Sequence, residues 1–392
     1  MEKNFKMLAK TFYGMEKILA LELKQLGAVD VYEGNRLVHF TGDKGFMYKA
    51  NLCLRTALKI LKPIFQFRAE NESVLYEKLY HYDWSSLLSA DQTFAIDSVV
   101  HGKVFNHSLY VTQRCKDAIV DRFRKDHGKR PTVDTRHPDI RLHLHIFDQK
   151  CSLSLDTSGR SLHHRGYRSL TNIAPINEVL AAGIIMLSDW DQRTDFMDPM
   201  CGSGTFLIEA AMMACKIPAN LNRNVFAFEK WKDWDNILFD KIKDSKLNSV
   251  VSPAGKIYGF DKAPSAIEKS TTNIKNAGLE DFIQVNRANF FNSQKMGDTP
   301  LHLLTNPPYG ERLDGDINTL YKNFGDTLKR SYPNTQAWVI SSNFEALKFF
   351  GLRPSRKIKL FNGKLETRLC NFPIYEGTKK IHKLKKQNPS ED

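Results

Sequence analysis

The spacing of apolar residues along the first 60 positions predicts a small unit of strands and helices. Residues 6–11 alternate between polar and apolar like a short strand, and helical spacing follows over 14–27. Residues 29–40 alternate again on either side of a turn, as a β-hairpin does. Helical spacing returns at 46–61, so the segment has an α+β character.

A second unit of similar kind extends to about residue 165. Its predicted elements are a helix over 73–80, a strand over 93–99, a helix over 108–125, and two strands over 141–147 and 151–156. The last two strands alternate strictly and are separated by Asp148-Gln149, which indicates another hairpin.

Beyond a polar, basic linker at 158–172, strands and helices alternate regularly. The predicted strands cover 194–198, 256–260, 282–285, 301–305 and 336–341, the helices cover 176–188, 205–215, 264–277 and 317–330, and a hairpin near 356–374 ends the series. Such alternation is typical of a parallel sheet with helices on both faces. The sequence therefore predicts an α/β fold: a doubly wound Rossmann-like domain preceded by α+β units.

Composition limits the class of protein. A chain of 392 residues with 42% hydrophobic residues can form two or three domain cores. It has no apolar run of membrane-spanning length, and its N-terminal segment lacks the unbroken apolar stretch of a signal peptide, so we expect a cytoplasmic protein without a membrane segment. The six cysteines form no C-x-x-C pair and have no histidines at zinc-finger spacing, so we expect no metal site and no disulfides.

An excess of basic residues indicates a polyanionic partner. Lys and Arg number 57 against 44 Asp and Glu, a formal charge of +13, and nucleic acid is the commonest cytoplasmic polyanion. In the basic stretch between 114 and 141, Arg122, Arg124, Lys129 and Arg130 are candidates for phosphate contact. A solvated helix face is the alternative there, and the basic tail at 379–392 could contact RNA or be a disordered end.

A glycine-containing turn supplies the first candidate site. The segment Asp198-Pro-Met-Cys-Gly-Ser-Gly-Thr-Phe206 joins a strand to a helix, and Gly202 and Gly204 allow close approach of a ligand to the backbone. It lacks the Lys-Ser/Thr of a nucleotide-binding P-loop and the third glycine of a dinucleotide fingerprint. Asp198 favours a ligand with a cationic amino or sulfonium group over a pyrophosphate.

Two further residues follow neighbouring strands. Asp261 ends the next strand, where it could accept both ribose hydroxyls or, alternatively, cap the following helix. It comes 63 positions after Asp198, so residues 216–252 are predicted to be an insertion. Asn289 follows the third strand, and its amide could accept a hydrogen bond from an adenine amine.

The second candidate site is Asn306-Pro307-Pro308-Tyr309, which follows the apolar strand 301–305. The Asn306 side-chain oxygen and the Pro307 carbonyl can both accept from an amine, and two prolines stiffen the loop. Tyr309 offers a flat face on which an extruded base can stack. Beside the glycine turn, this arrangement favours methyl transfer to an exocyclic amine.

With these motifs the chain resembles the THUMP-domain RNA guanine-N2 methyltransferases, in particular the bacterial members that modify 23S ribosomal RNA. The resemblance extends over nearly the whole chain, and segments 164–168 and 174–178 are similar to that family's entry into its catalytic domain. It implies a ferredoxin-like unit at 1–60, a THUMP RNA-binding domain at 61–165 and a class I methyltransferase domain at 166–378.

The resemblance also implies roles for individual residues. S-adenosyl-L-methionine would be bound by Asp198, Cys201, Gly202, Gly204, Thr205, Asp261 and Asn289. The target guanine would be held by Asn306, Pro307 and Tyr309. We expect Arg165 and Arg168, in the basic linker, to contact RNA together with the residues of the 114–141 stretch.

Some alternatives stay open at this point. The family usually has Asp where this chain has Asn289, and a related subgroup with the same architecture methylates transfer RNA. Asn-Pro-Pro-Tyr also occurs in DNA adenine-N6 and protein glutamine methyltransferases. An RNA-binding protein with a vestigial methyltransferase half is a further alternative, and the intact Asn306–Tyr309 motif argues against it.

Overall fold

The computed structural model describes residues 3–169, 175–308 and 316–377. Three predicted features therefore lie outside the described residues: Ala174, Tyr309 and the basic tail at 379–392. The chain divides into two units. Unit 1 draws on Met1–Thr11, Leu19–Leu162 and Arg223–Ser245, and unit 2 on Phe12–Ile18, His163–Asn222 and Lys246–Asp392.

The secondary structure follows the predicted order closely. The strands are β1 (Phe5–Lys10), β2 (Val29–Gly34), β3 (Leu37–Gly42), β4 (Lys59–Arg68), β5 (Thr93–His101), β6 (Thr132–Val133), β7 (Ile140–Phe147), β8 (Lys150–Asp156), β9 (Asp195–Asp198), β10 (Ile257–Asp261), β11 (Ile283–Arg287), β12 (Leu301–Thr305), β13 (Thr335–Ser341), β14 (Arg356–Asn362) and β15 (Leu365–Ile374). The helices are α1 (Glu16–Leu26), α2 (Lys44–Cys53), α3 (Glu72–Tyr80), α4 (Ser108–His127), α5 (Glu178–Leu187), α6 (Thr205–Ala214), α7 (Asn236–Leu247), α8 (Pro264–Ala277) and α9 (Ile317–Ser331).

Unit 1 is built on one eight-stranded sheet, with the strand order β2-β3-β1-β4-β8-β7-β5-β6. The two N-terminal units predicted from sequence share this sheet, because β4 pairs with β1 on one side and with β8 on the other. Residues on one side of the inner strands face one apolar core, to which Leu19 of α1, Leu75 of α3 and Cys115 of α4 also contribute. The helices therefore cover one face of the sheet.

One predicted element is wrong. The helix expected at 46–61 ends at Cys53, and Leu54 is extended, with ψ 128°. The buried Glu22 carboxylate accepts hydrogen bonds from the N–H groups of Arg55 and Thr56, which turns the chain into β4. A partner more than 30 positions away decides this boundary, and local spacing cannot reveal it.

Unit 2 contains a seven-stranded sheet with the order β11-β10-β9-β12-β13-β15-β14. Its first five strands are parallel and β15 is antiparallel to its neighbours. Neighbouring residues of one strand enter different cores: Phe196 faces α5 and α6, whereas Met197 faces α9. Burial on both faces is characteristic of a parallel sheet, and the predicted doubly wound fold is confirmed.

Within the described ranges, no helix combines the length and apolar character needed to cross a lipid bilayer.

Candidate active site

The strand order of unit 2 reverses between β9 and β12, which lie side by side. Ligands of doubly wound sheets bind at such a switch point, outside the carboxyl ends of the strands. A cavity of about 560 Å³ lies there. The predicted residues that line it are Asp198, Cys201, Gly202, Thr205, Asp261, Asn289, Asn306 and Pro307. The structure thus brings the two predicted loops together in one cavity.

The glycine turn after β9 depends on backbone angles that other residues avoid. Gly202 and Gly204 have φ of 55° and 81°, in the left-handed region that favours glycine. A β-carbon on Gly204 would lie 3.2 Å from that of Ser270. Gly204 is also the N-cap of α6 and provides no capping side chain. The first N–H groups of α6 are therefore not capped by a side chain at this edge.

Asp198 is buried beneath the cavity, with 2% of its surface exposed. Its Oδ1 accepts hydrogen bonds from the Thr305 hydroxyl at 2.8 Å and from the N–H of Met200 at 3.1 Å. Burial raises the pKa of this carboxyl to about 7, although both hydrogen bonds oppose the shift. A cationic ligand in the cavity would favour the ionised form.

Asp261 supports the glycine turn from the neighbouring strand. Its Oδ2 accepts from the N–H of Gly202 at 3.0 Å, and its Oδ1 accepts from the N–H of Ala263 at 2.9 Å. The N-cap position of α8 is Ala263, so Asp261 does not cap that helix in the way considered from sequence. Each carboxylate oxygen has a second lone pair for a ligand hydroxyl.

Asn289 lies at the exposed rim of the same cavity. Its side-chain oxygen accepts a hydrogen bond from the N–H of Phe291 at 3.1 Å. This bond orients the amide, so its NH₂ group is available to donate. The sequence had suggested only an acceptor role at this position.

Asn306 follows β12 and faces the cavity with an unsatisfied acceptor. Its Oδ1 is buried and has no hydrogen-bond partner among the described residues. Pro307 and Pro308 also line the cavity. Tyr309, the fourth residue of the motif, is outside the described residues. An unpaired buried acceptor costs about 1–3 kcal/mol, and a ligand N–H group would satisfy it.

Gly259 and the β14–β15 turn are two contributors to this site that sequence reasoning missed. Gly259 of β10 lies opposite Asp198 in the parallel register, and a β-carbon there would lie 2.9 Å from the Asp198 carbonyl oxygen. A glycine inside a buried strand signals such close approach. The second contributor is the β14–β15 turn, whose Asn362, Gly363 and Leu365 line the cavity. Only the hairpin itself was visible in the sequence.

The structure corrects the role expected for Arg165. This side chain is fully buried, and its Nε lies 3.4 Å from a Glu209 carboxylate oxygen that is also fully buried. Its Nη1 donates to the Asn220 side chain at 3.1 Å. Arg165 therefore cannot reach RNA in this fold, and it anchors the segment before α5 to α6.

Arg168 also makes its contacts inside unit 2. Its guanidinium lies 3.1 Å from Glu178 and donates to the Thr205 hydroxyl at 2.7 Å and to the Ile176 carbonyl at 3.0 Å. Both Thr205 and Ile176 line the cavity. The contacts of Arg168 thus support the cavity wall, and its contact with RNA stays a prediction.

The four remaining RNA-binding candidates lie on or just after α4. Arg124, Lys129 and Arg130 are exposed, and Arg122 is half-buried. Arg124 lies 3.3 Å from Asp121, an exposed pair that contributes little to stability. This distribution leaves basic groups at the surface near the C-terminal end of α4.

Three family models match this chain. The RMKL-like methyltransferase domain matches residues 165–371, the THUMP domain matches 69–156, and the RlmL ferredoxin-like domain matches 6–61.

Similar proteins extend over most of the chain. It is 36% identical over 390 residues to the ribosomal RNA large subunit methyltransferase K/L of Syntrophotalea carbinolica, a match that covers 96% of this chain and 54% of that protein. The chain therefore spans about half the length of the curated relatives it matches.

Two solved structures share the fold over their full length. One is a protein assigned as a methyltransferase and complexed with SAH, with 30% identity and a TM-score of 0.85. The other, from Clostridium difficile 630 and described as a possible methylase, has 31% identity and a TM-score of 0.84. Each match covers 96% of this chain and 100% of the other. With these matches and a cavity built from both predicted loops, the chain belongs to the RMKL-like methyltransferase family.

Proposed function

We propose that this protein transfers a methyl group from S-adenosylmethionine to the exocyclic N2 of a guanosine in 23S ribosomal RNA, in the cytoplasm. The observation that carries the proposal is the buried, unpaired Oδ1 of Asn306 in the same cavity as Asp198 and Gly202. The ribosomal RNA named for the K/L relatives supports the choice of substrate. The THUMP match supports RNA as the partner.

The residues of the cavity fit the cofactor. S-adenosylmethionine supplies an electrophilic methyl group on a sulfonium centre. Asp198 can balance a cationic group, since burial holds its pKa near 7 in the absence of a positive partner. Asp261 keeps lone pairs for ribose hydroxyls, and Asn289 lies at the rim where its amide can meet an adenine edge. A structural relative complexed with SAH agrees with this choice of cofactor.

The chemistry follows from the acceptors at Asn306. An exocyclic amine is a weak nucleophile, because its lone pair is delocalised into the ring. Acceptance of its protons by Asn306 Oδ1 and the Pro307 carbonyl would favour a pyramidal nitrogen and stabilise the positive charge that develops. The nitrogen would bond to the methyl group as the C–S bond breaks and leaves a neutral thioether, and the nitrogen would then lose a proton to solvent. Positioning and preorganised electrostatics therefore supply most of the rate enhancement.

The exposed basic groups near the end of α4 are the proposed RNA contact of unit 1. Arg124, Lys129 and Arg130 are exposed, so their side chains can reach phosphates. Tyr80, on the adjacent α3, has its ring centroid 5.9 Å from the Arg122 guanidinium and 5.8 Å from Lys125 Nζ. Basic and aromatic groups on one surface are typical of RNA-binding proteins.

The test is methyl transfer to RNA from cells that lack the protein, followed by mass spectrometry of the nucleosides. Asn306→Ala should lower transfer about 10²- to 10³-fold, the range for loss of one preorganised hydrogen-bonding group, while cofactor affinity changes little. Asn286→Ala, which removes an amide from an exposed position of β11 outside the cavity lining, is the matched control. Equal loss of transfer and cofactor binding in Asn306→Ala would contradict the assigned role. A product found only in transfer RNA, DNA or protein would overturn the proposed substrate.

A further inference from the structure

The face of the eight-stranded sheet opposite the helices is a separate feature of unit 1. In β1, Met7 and Ala9 enter the core, so Lys6, Leu8 and Lys10 point to the other side. In β7, the alternation noted in the sequence places His143 and His145 on this same side, away from the core residues Leu142 and Leu144. This open face therefore presents lysine and histidine side chains among apolar ones.

A groove of about 1370 Å³ runs along the open face. Small-molecule pockets usually measure about 300–1000 Å³, so the groove is large enough for a polymer segment. Among the described residues that line it, the basic side chains are Lys6, Lys10, Arg36 and Lys59, and the acidic one is Asp30. The lining thus complements an anionic polymer.

The centre of the groove contains two lysines that face each other. Lys10 and Lys59 are directly opposite in the antiparallel register of β1 and β4, an arrangement that is unfavourable for like charges. Lys59 is paired with Asp156 at 2.6 Å, whereas the hydrogen bond of Lys10, also 2.6 Å, is to His143 Nε2. Burial, and next the Lys10 and Lys59 charges, lower the pKa of His143 to about 3, so its imidazole is neutral. Lys10 thus donates to a neutral ring rather than to a carboxylate, and an anion in the groove would add a direct charged partner to the nearby Asp156 and Asp97.

Aromatic side chains lie in the wall of the same groove. Tyr32 is 56% exposed and stacks on His39 with ring centroids 4.5 Å apart. Tyr32 and His39 both line the groove together with the lysines. Nucleotide bases stack on aromatic groups of open sheet faces when they are unpaired, whereas the bases of a duplex are not accessible.

We propose that this groove is a second RNA site, which binds an extended single-stranded segment. Phosphates of the segment contact Lys6 and Lys10, and a base stacks on Tyr32. This site is distinct from the basic groups at the end of α4 and from the cavity of unit 2. The inference depends on the proposed function only in that RNA is the polymer.

The test uses the full chain and a fluorescent oligouridine of 12 nucleotides, which forms no duplex. The variant Lys6→Gln/Lys10→Gln should bind at least about tenfold more weakly, and its slope of log K against log salt should fall by about 1.4, or 0.7 for each phosphate contact. The matched control, Lys17→Gln/Lys24→Gln, removes the same charge from exposed positions of α1 that do not line the groove. Tyr32→Ala should weaken binding by about tenfold, and Tyr13→Ala, another exposed tyrosine, should not.

The outcomes separate this inference from the proposed function. Equal weakening by the groove and control variants, or binding of duplex RNA in preference to oligouridine, would overturn the groove site even if the protein methylates ribosomal RNA. Groove-dependent binding would support it even if ribosomal RNA is not methylated. Should Lys6→Gln/Lys10→Gln fail to fold, Lys6→Gln and Tyr32→Ala, both at exposed positions, provide the same comparison.

Discussion

At the scale of single residues, Asp198 links the proposed cofactor to pH. Its pKa of about 7 means that the carboxyl must lose a proton when a cationic ligand binds below that pH. We therefore expect cofactor affinity to fall by up to about tenfold for each pH unit below 7 and to level off above it. Titration calorimetry in two buffers of different ionisation enthalpy would measure the released proton. Affinity independent of pH between 5 and 8 would contradict this role.

The same shift predicts an effect on stability. Between pH 3.8 and about 7 the folded protein holds a proton on Asp198 that the unfolded chain has released. The contribution of Asp198 to the free energy of unfolding thus falls as pH rises through this window. Asp198→Asn keeps an oxygen for Thr305 and Met200 but cannot ionise. Its melting temperature at pH 8, without cofactor, should equal or exceed that of the wild type, whereas cofactor binding should be lost. A lower melting temperature for the variant than for the wild type would indicate that ionisation of Asp198 does not destabilise the folded protein.

Gly259 provides a steric prediction. A β-carbon there would lie 2.6 Å from Leu207 Cδ1 and 2.9 Å from the Asp198 carbonyl oxygen. Gly259→Ala should therefore destabilise the protein by about 1–3 kcal/mol and weaken cofactor binding, because the backbone at Asp198 must shift. Urea unfolding measures the first effect. In Gly45→Ala, the control within helix α2, the nearest contact is an ordinary 3.5 Å, and no loss of stability is expected.

At the scale of elements, the buried pair of Arg165 and Glu209 holds the segment before α5 against α6. Both side chains are fully buried, and Tyr167 also donates to Glu209 at 3.1 Å. Arg165→Met leaves the Glu209 charge without its partner and should cost about 3–5 kcal/mol. Arg165→Met/Glu209→Gln should recover part of this loss in thermal unfolding. If Arg165 contacted RNA instead, the single variant would lower the salt dependence of RNA binding without a loss of stability.

Sequence reasoning recovers most elements because their signals are local. The helix over 264–277 starts at Pro264 and is capped by Gly278, and both residues mark these boundaries in the sequence. The loops after β9 and β12 could be assigned to one edge of the sheet because parallel strands end there together. The features that could not be predicted depend on distant partners. Glu22 accepts hydrogen bonds from the backbone just after α2, and Glu209 pairs with Arg165 in the interior. No local pattern distinguishes a buried arginine from an exposed one in a basic linker.

At the scale of the whole molecule, the two units are not contiguous pieces of chain. The long interval between Asp198 and Asp261 predicts an insertion at 216–252. The sequence does not show which unit this insertion packs with. Most of it, Arg223–Ser245, belongs to unit 1. Phe228 is fully buried there, and its ring centroid lies 4.6 Å from that of Tyr48. Trp234 lies 5.1 Å from the same tyrosine.

This arrangement predicts how fragments of the protein behave. A fragment of residues 1–165 lacks Phe226, Phe228 and Trp231, which complete the apolar core of unit 1. We expect it to bind a hydrophobic dye and to unfold at a lower temperature than the same fragment joined by a flexible linker to 223–245. In the full chain, Phe228→Ala should destabilise unit 1 by about 3–5 kcal/mol, whereas Phe349→Ala, at an exposed position of unit 2, should have little effect. If the shorter fragment proved as stable as the longer one, the aromatic cluster would be dispensable, and unit 1 would fold from the N-terminal half of the chain alone.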